Sequence, residues 1–184
     1  MIMIILAKMA MPSFWIRHYC EEHRSTRWIF EAYVMMKPIF FMLALFAWRY
    51  SSIIICAITI YLMLDLFTYI LWILALSDIF VKHISIRRNL ILLWANYREI
   101  ISGFALLYLH FDALAYGGIH KERVVWPLQA IYYSLSTFST VGFGDITASN
   151  DVGTLLSIIQ LIVSIVFIGI ILSSYVGKIK LRWE

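Results

Sequence analysis

"STFSTVGFGDI" occupies residues 136–146, between two long apolar runs, and consists largely of small polar residues and glycine. Non-helical backbone is tolerated at membrane depth only where protein buries it or where it lines a watery path. The chain around it has a membrane composition: of 184 residues, 62% are hydrophobic and 14% charged, with a mean hydropathy of +0.85. Soluble domains average roughly 45–50% apolar and 25% charged. At this length most of the chain is needed to cross the bilayer, which leaves no block for a separate soluble domain. The expected fold is an all-α membrane protein, with about four transmembrane helices plus a re-entrant helix and a glycine-rich strand.

Working outward, residues 1–27 read as a cytoplasmic or interfacial segment, because Arg17, Arg24 and Arg27 suit water better than hydrocarbon. Residues 29–48 and 53–76 are apolar and long enough to span, joined by "RYSS", so a helical hairpin is expected over 28–76. Over 77–98, Lys82, Arg87, Arg88 and Arg98 alternate with Ile, Leu and Trp, the mixture of a linker helix lying in the headgroup plane. Residues 99–177 are expected to hold an outer helix to residue 116, a short helix over 127–137, the strand, and an inner helix over 155–176. Pro127 suits a first helical position, where its missing N–H is not needed. A short cytoplasmic tail is expected over 178–184, without a C-terminal gating domain. Excess Lys and Arg mark the cytoplasmic side. Both termini and the linker then face the cytoplasm, the strand comes in from outside, and the location is a plasma or bacterial inner membrane.

The strand has its own backbone logic. Glycine adopts positive φ at little steric cost, so Gly142 and Gly144, alternating with Val141 and Phe143, can turn successive carbonyls to one side. The carbonyls of Thr140, Val141, Gly142 and Phe143, with the Thr140 hydroxyl, would then form cages that replace an ion's hydration shell. One copy cannot enclose an ion, so assembly is required, with fourfold closure expected. A helix over 127–137 would aim its partly negative C-terminal end at the cation. Asp145 adds charge at the mouth.

"AIYYSLSTFSTVGFGD", residues 130–145, resembles the pore helix and filter of potassium channels, whose pattern is T-x-x-T-x-G-Y-G-D. Thr137, Thr140, Gly142, Gly144 and Asp145 match it. A weaker similarity runs from near Arg98 to Gly177, and "YREIISGFALLY" is similar to the start of the outer helix in voltage-gated members. The resemblance implies a homotetrameric channel for passive K+ conduction, with ion sites at Thr140, Val141, Gly142, Phe143 and Gly144. Thr137, Ser136, Tyr133 and Asp145 would support the filter. It implies no enzyme activity and no cofactor, with K+ as the permeant ion and lipid as the surroundings. The chain departs from the pattern at three places. Phe143 replaces the usual tyrosine and removes a phenolic donor, Ser136 stands where certain bacterial members have glutamate, and Tyr132 and Tyr133 stand where they have tryptophan. Selectivity is expected to survive; filter stability is the property these changes touch. Aligned through Gly153, Ser164 takes the place of the family's hinge glycine, and Gly169 lies about one and a half turns further on. Ser164, Gly169, Ser173 and Tyr175 are the gating candidates.

Other features are weighed against plainer readings. Asp65, inside the second span, reads either as a sensor of voltage or protons or as a partner for Lys37 or Arg49. No helix carries basic residues at every third position, which argues against strong voltage gating. His18, Cys20 and His23 fit no standard metal spacing and read as a solvated segment. Cys20 and Cys56 are the only cysteines and suggest no structural disulfide. Trp28, Trp48, Trp94 and Trp126 fall near span ends, as interface anchors do. The net charge of +4 is spread over span ends and does not indicate nucleic acid. Two alternatives to a potassium channel stay open: a weakly selective cation channel, and a non-conducting subunit that assembles with another channel. A gating partner of unknown kind is also compatible with the chain.

Overall fold

A computed structural model describes residues 12–13, 15–16, 27–47, 51–76, 86–117 and 122–180. Two helices fall where the first two apolar runs lie, α1 (Arg27–Phe46) and α2 (Ile53–Leu76). They are followed by α3 (Ile86–His110), β1 (Leu114–Tyr116), α4 (Pro127–Phe138), β2 (Ile146–Ala148) and α5 (Asp151–Lys180).

The centre of the protomer is α3. Every residue from 99 to 109 is buried, so this stretch is covered on all sides, as a helix apolar all round must be. Phe41 and Leu45 of α1, Met63 and Leu66 of α2, Ala130 and Phe138 of α4, and Val163 and Phe167 of α5 share one hydrophobic core with it. One helix therefore serves both the hairpin and the segment around the glycine-rich strand.

Two expectations change here. The linker helix and the outer helix, read as separate over 77–98 and 99–116, share one continuous helix from Ile86 to His110, while 77–85 lie outside the described residues. The helix also stops short of residue 116. Asp112 adopts φ 49°, the Ala113 N–H donates to Tyr108 O at 2.9 Å, and the Asp112 N–H donates to Leu109 O at 3.2 Å. These are the paired bonds of a Schellman ending, in which a left-handed residue turns the chain away from the helix. The spans need similar care. Among the described residues, three helices are long and apolar enough to cross a membrane, over Trp28–Phe46, Ile53–Ile70 and Asp151–Gly169. The expected fourth, α3, has the length but carries Asn96, Arg98 and Glu99 in its interior.

The strands after α3 and before α5 form an antiparallel ribbon, pairing Leu114 with Ala148, Ala115 with Thr147 and Tyr116 with Ile146. The Gly117 N–H extends it by donating to Asp145 O at 2.7 Å. The chain thus leaves and returns through one hydrogen-bonded neck, and α4 with the glycine-rich strand forms the loop beyond it.

Asn150 fastens the next turn. Its Oδ1 accepts the Gly153 N–H at 2.7 Å, capping α5, while its Nδ2 donates to Phe111 O at 3.2 Å at the end of α3. Helix ends leave such groups without intrahelical partners, and here one side chain serves both ends. Gly153 is required by the same approach: a Cβ there would lie 2.5 Å from Ala113 O, a backbone atom that cannot swing away. Gly153→Ala is therefore expected to destabilise the protomer by about 1–3 kcal/mol, the cost of an overpacked contact. Gly169→Ala, whose Cβ meets nothing within 4 Å, serves as the control. Thermal unfolding in detergent compares them; equal midpoints would refute the close approach.

Candidate functional site

α4 starts as its sequence suggests, with Trp126 at the N-cap and Pro127 at the first helical position. Its other end hands the chain directly to the glycine-rich strand. The Thr140 N–H donates to Thr137 O at 3.1 Å and the Val141 N–H to Ser136 O at 3.0 Å, with Thr140 at φ 58°. This is a second Schellman ending, so the last carbonyls of α4 are satisfied by the first amides of the strand. Positive φ recurs at every second residue: Thr140 at 58°, Gly142 at 56°, Gly144 at 80°. For the glycines this conformation is ordinary. For a β-branched threonine it is an outlier, of a kind that costs on the order of 1–3 kcal/mol and persists only where surrounding structure enforces it.

The strand stands at the protomer surface, with Val141 and Phe143 54% and 68% exposed. Its flank is aromatic. The Tyr132 and Phe143 rings stack at 6.0 Å with an interplanar angle of 10°, and the Tyr132 hydroxyl lies near the Asp145 carboxylate. Tyr132 thus brings a phenolic group from a neighbouring element to the C-terminal end of the strand, where Phe143 has none. Of the proposed supporting residues, Ser136 is buried and acts through its carbonyl, and Thr137 contributes its carbonyl to Thr140. The Tyr133 hydroxyl lies 2.9 Å from Ser157 Oγ on α5. The Asp145 carbonyl closes the neck, while its carboxylate meets Tyr132.

The gating candidates all lie on α5, which is continuous through them. The buried Ser164 hydroxyl donates to Gln160 O at 2.7 Å, an i−4 bond of the kind that bends helices slightly. Gly169 has open space around it. The side chains of Ser173 and Tyr175 lie outside the described residues, as do His18, Cys20, His23 and Arg49.

A second constellation joins the hairpin to α3. Lys37 Nζ lies 3.0 Å from Glu99 Oε1 and 3.4 Å from Asp65 Oδ2, and all three side chains are at most 5% exposed. Asp65 is well supplied with donors: the Ser13 N–H at 3.1 Å, the Ser13 hydroxyl, and the Tyr33 hydroxyl at 3.0 Å. Glu99 is not, because the lysine is near but poorly aligned for a hydrogen bond and Oε2 has no partner among the described residues. Of the two readings of Asp65, pairing with Lys37 is what the structure displays. Glu99 was legible only as the start of the outer helix.

Residues 99–180 match the model of a family described as "Ion channel". The matched segment begins at Glu99, where the hairpin's lysine docks, and ends with α5; the hairpin lies outside it. No curated protein and no solved structure matches the chain. The matched segment contains α4, the neck and the backbone of alternating φ at residues 140–144.

Proposed function

We propose that the protein is the subunit of a homotetrameric potassium channel that conducts K+ passively through residues 140–144. The alternation of positive φ at Thr140, Gly142 and Gly144 carries this reading. It is the backbone pattern by which a strand can present successive carbonyls to one side, and stacked carbonyl rings replace the water a cation sheds. Thr140, Val141, Gly142 and Phe143 would supply those oxygens, with the Thr140 hydroxyl at the inner end. The C-terminal end of α4 favours a cation through the partial negative charge of its peptide dipoles.

Self-assembly is supported by what a single protomer leaves uncovered. Leu155, Ile158, Ile162 and Ile165 form an exposed stripe on α5 with the 3–4 spacing of a helix-packing seam. Four copies would cover part of this stripe and enclose the strand's exposed side. The transport requires no covalent chemistry and no cofactor; K+ is the substrate.

The test is the reversal potential of purified protein in a planar bilayer with K+ on one side and Na+ on the other. A potential displaced strongly toward the K+ equilibrium value is expected. Clear currents that reverse near zero would replace this reading with a weakly selective cation channel. Silence across voltage and pH, together with co-purification of a different pore protein, would favour an auxiliary subunit.

A further inference from the structure

Gln160 is fully buried in the middle of α5, the most apolar segment of the ion-channel region, where the plain expectation is leucine or valine. Every hydrogen-bonding group of its amide is used. Nε2 lies 2.8 Å from Ser134 O and 2.8 Å from Ser134 Oγ, and Oε1 accepts the Tyr108 hydroxyl at 2.9 Å. The Ser134 hydroxyl donates onward to Ile101 O at 2.9 Å. The proton inventory fixes the orientation: Ser134 O only accepts, and the single Ser134 hydroxyl proton is committed to Ile101, so the amide nitrogen must face Ser134. One side chain on α5 thereby grips α4 and α3 together.

The place it grips matters. Ser134 lies two residues before Ser136, whose carbonyl receives the Val141 N–H at the start of the alternating strand. Toward its N-terminus, α5 is fixed to the end of α3 by Asn150 and the Gly153 contact. Beyond Gln160 come Ser164, bonded back to Gln160 O, and Gly169, with open space around it. Gln160 is therefore the last described polar tie between α5 and α4 before the stretch of α5 that holds the gating candidates.

We propose that Gln160 is a positioning residue, through which the placement of α5 sets the backbone geometry of residues 140–144 by way of Ser134. This deepens the potassium-channel reading and rests on it for its functional consequence, though not for its structural one. Both Nε2 bonds favour the placement of α4 seen here. At the ordinary net value of a hydrogen bond, losing them shifts the balance between well-formed and distorted strand by about tenfold.

The test compares Gln160→Leu and Gln160→Met, which remove the donors to Ser134, with Tyr108→Phe, which removes the hydroxyl that donates to Oε1 and lies 3.2 Å from Ser157 Oγ but leaves the Ser134 bonds in place. Two readouts are taken on the intact protein in lipid: hydrogen exchange at the Val141 amide, and the mean open-burst duration of single channels. Both Gln160 variants are expected to speed Val141 exchange and shorten bursts by about tenfold, with exchange at Tyr116 and Gly117 in the neck unchanged. Tyr108→Phe should leave both readouts within about twofold of wild type, because the Ser134 bonds remain. Unchanged Val141 exchange in both Gln160 variants overturns the proposal. So does a uniform rise that includes the neck or appears equally in Tyr108→Phe, since that marks general loosening. If the wild type carries no current and Val141 exchange still responds selectively, the positioning role stands and the potassium-channel reading falls.

Discussion

Replacing Lys37 with methionine is expected to destabilise the protein by about 3–5 kcal/mol, one of the largest effects of any single change outside the strand. Lys37 is the cation held by both Asp65 and Glu99. Without it two carboxylates remain buried with no opposite charge beside them among the described residues, and the cost is that of stranded charge more than of a lost attraction. The triple replacement Lys37→Met, Asp65→Asn, Glu99→Gln separates the two. The carboxamide oxygen introduced by Asp65→Asn can still accept from Ser13 and Tyr33, the buried charge is gone, and most of the lost stability should return. Denaturation midpoints in detergent read both outcomes. If Lys37→Met melts like the wild type, the cluster is not the junction described; if the triple variant is no better than the single one, packing rather than charge is responsible.

The second large effect is expected at Gly142, and its cause is conformation rather than space. An added Cβ meets nothing within 4 Å, yet φ is 56°. An L-residue in that region costs about 1–2 kcal/mol, or roughly 4–8 kcal/mol over the four strands of the proposed tetramer if all adopt it together. The exposed strand can relax out of that conformation, so Gly142→Ala is expected to fold with its melting curve nearly unmoved and to lose the K+ current of the proposed channel below detection. Size-exclusion chromatography and bilayer recording on the same preparation make the comparison. Wild-type current with intact selectivity in Gly142→Ala would remove the strand from the ion path.

How much of this was visible beforehand depends on how local the signal is. Pro127 at the start of α4 and the glycines of the strand announce themselves because backbone chemistry at one residue decides the conformation. The ends of α3 and α4 do not. Both use the Schellman geometry, normally flagged by glycine or asparagine, with Asp112 and Thr140 in the left-handed position. Strands of three residues are too short to show alternation, so the neck left no pattern. The charge cluster was legible in its Lys37–Asp65 half, and the part Glu99 takes in it was missed for another reason. Lys37, Asp65 and Glu99 come from three helices, and only their mutual rotation decides that the three side chains meet. Gln160 did carry a signal: a lone amide in an apolar run is costly unless it bonds across helices.

The neck has a mechanical consequence. Chain tension between α3 and α5 has two routes. One is long, through the whole loop that holds α4 and the alternating strand; the other is short, across the β1–β2 hydrogen bonds and the Gly117 to Asp145 bridge. A pull travels along the shorter and stiffer route, so the ribbon acts as a shunt and the loop hangs slack beside the load path. Residues 140–144 are in this way insulated from strain transmitted along the backbone, and what reaches them must come sideways, through side chains.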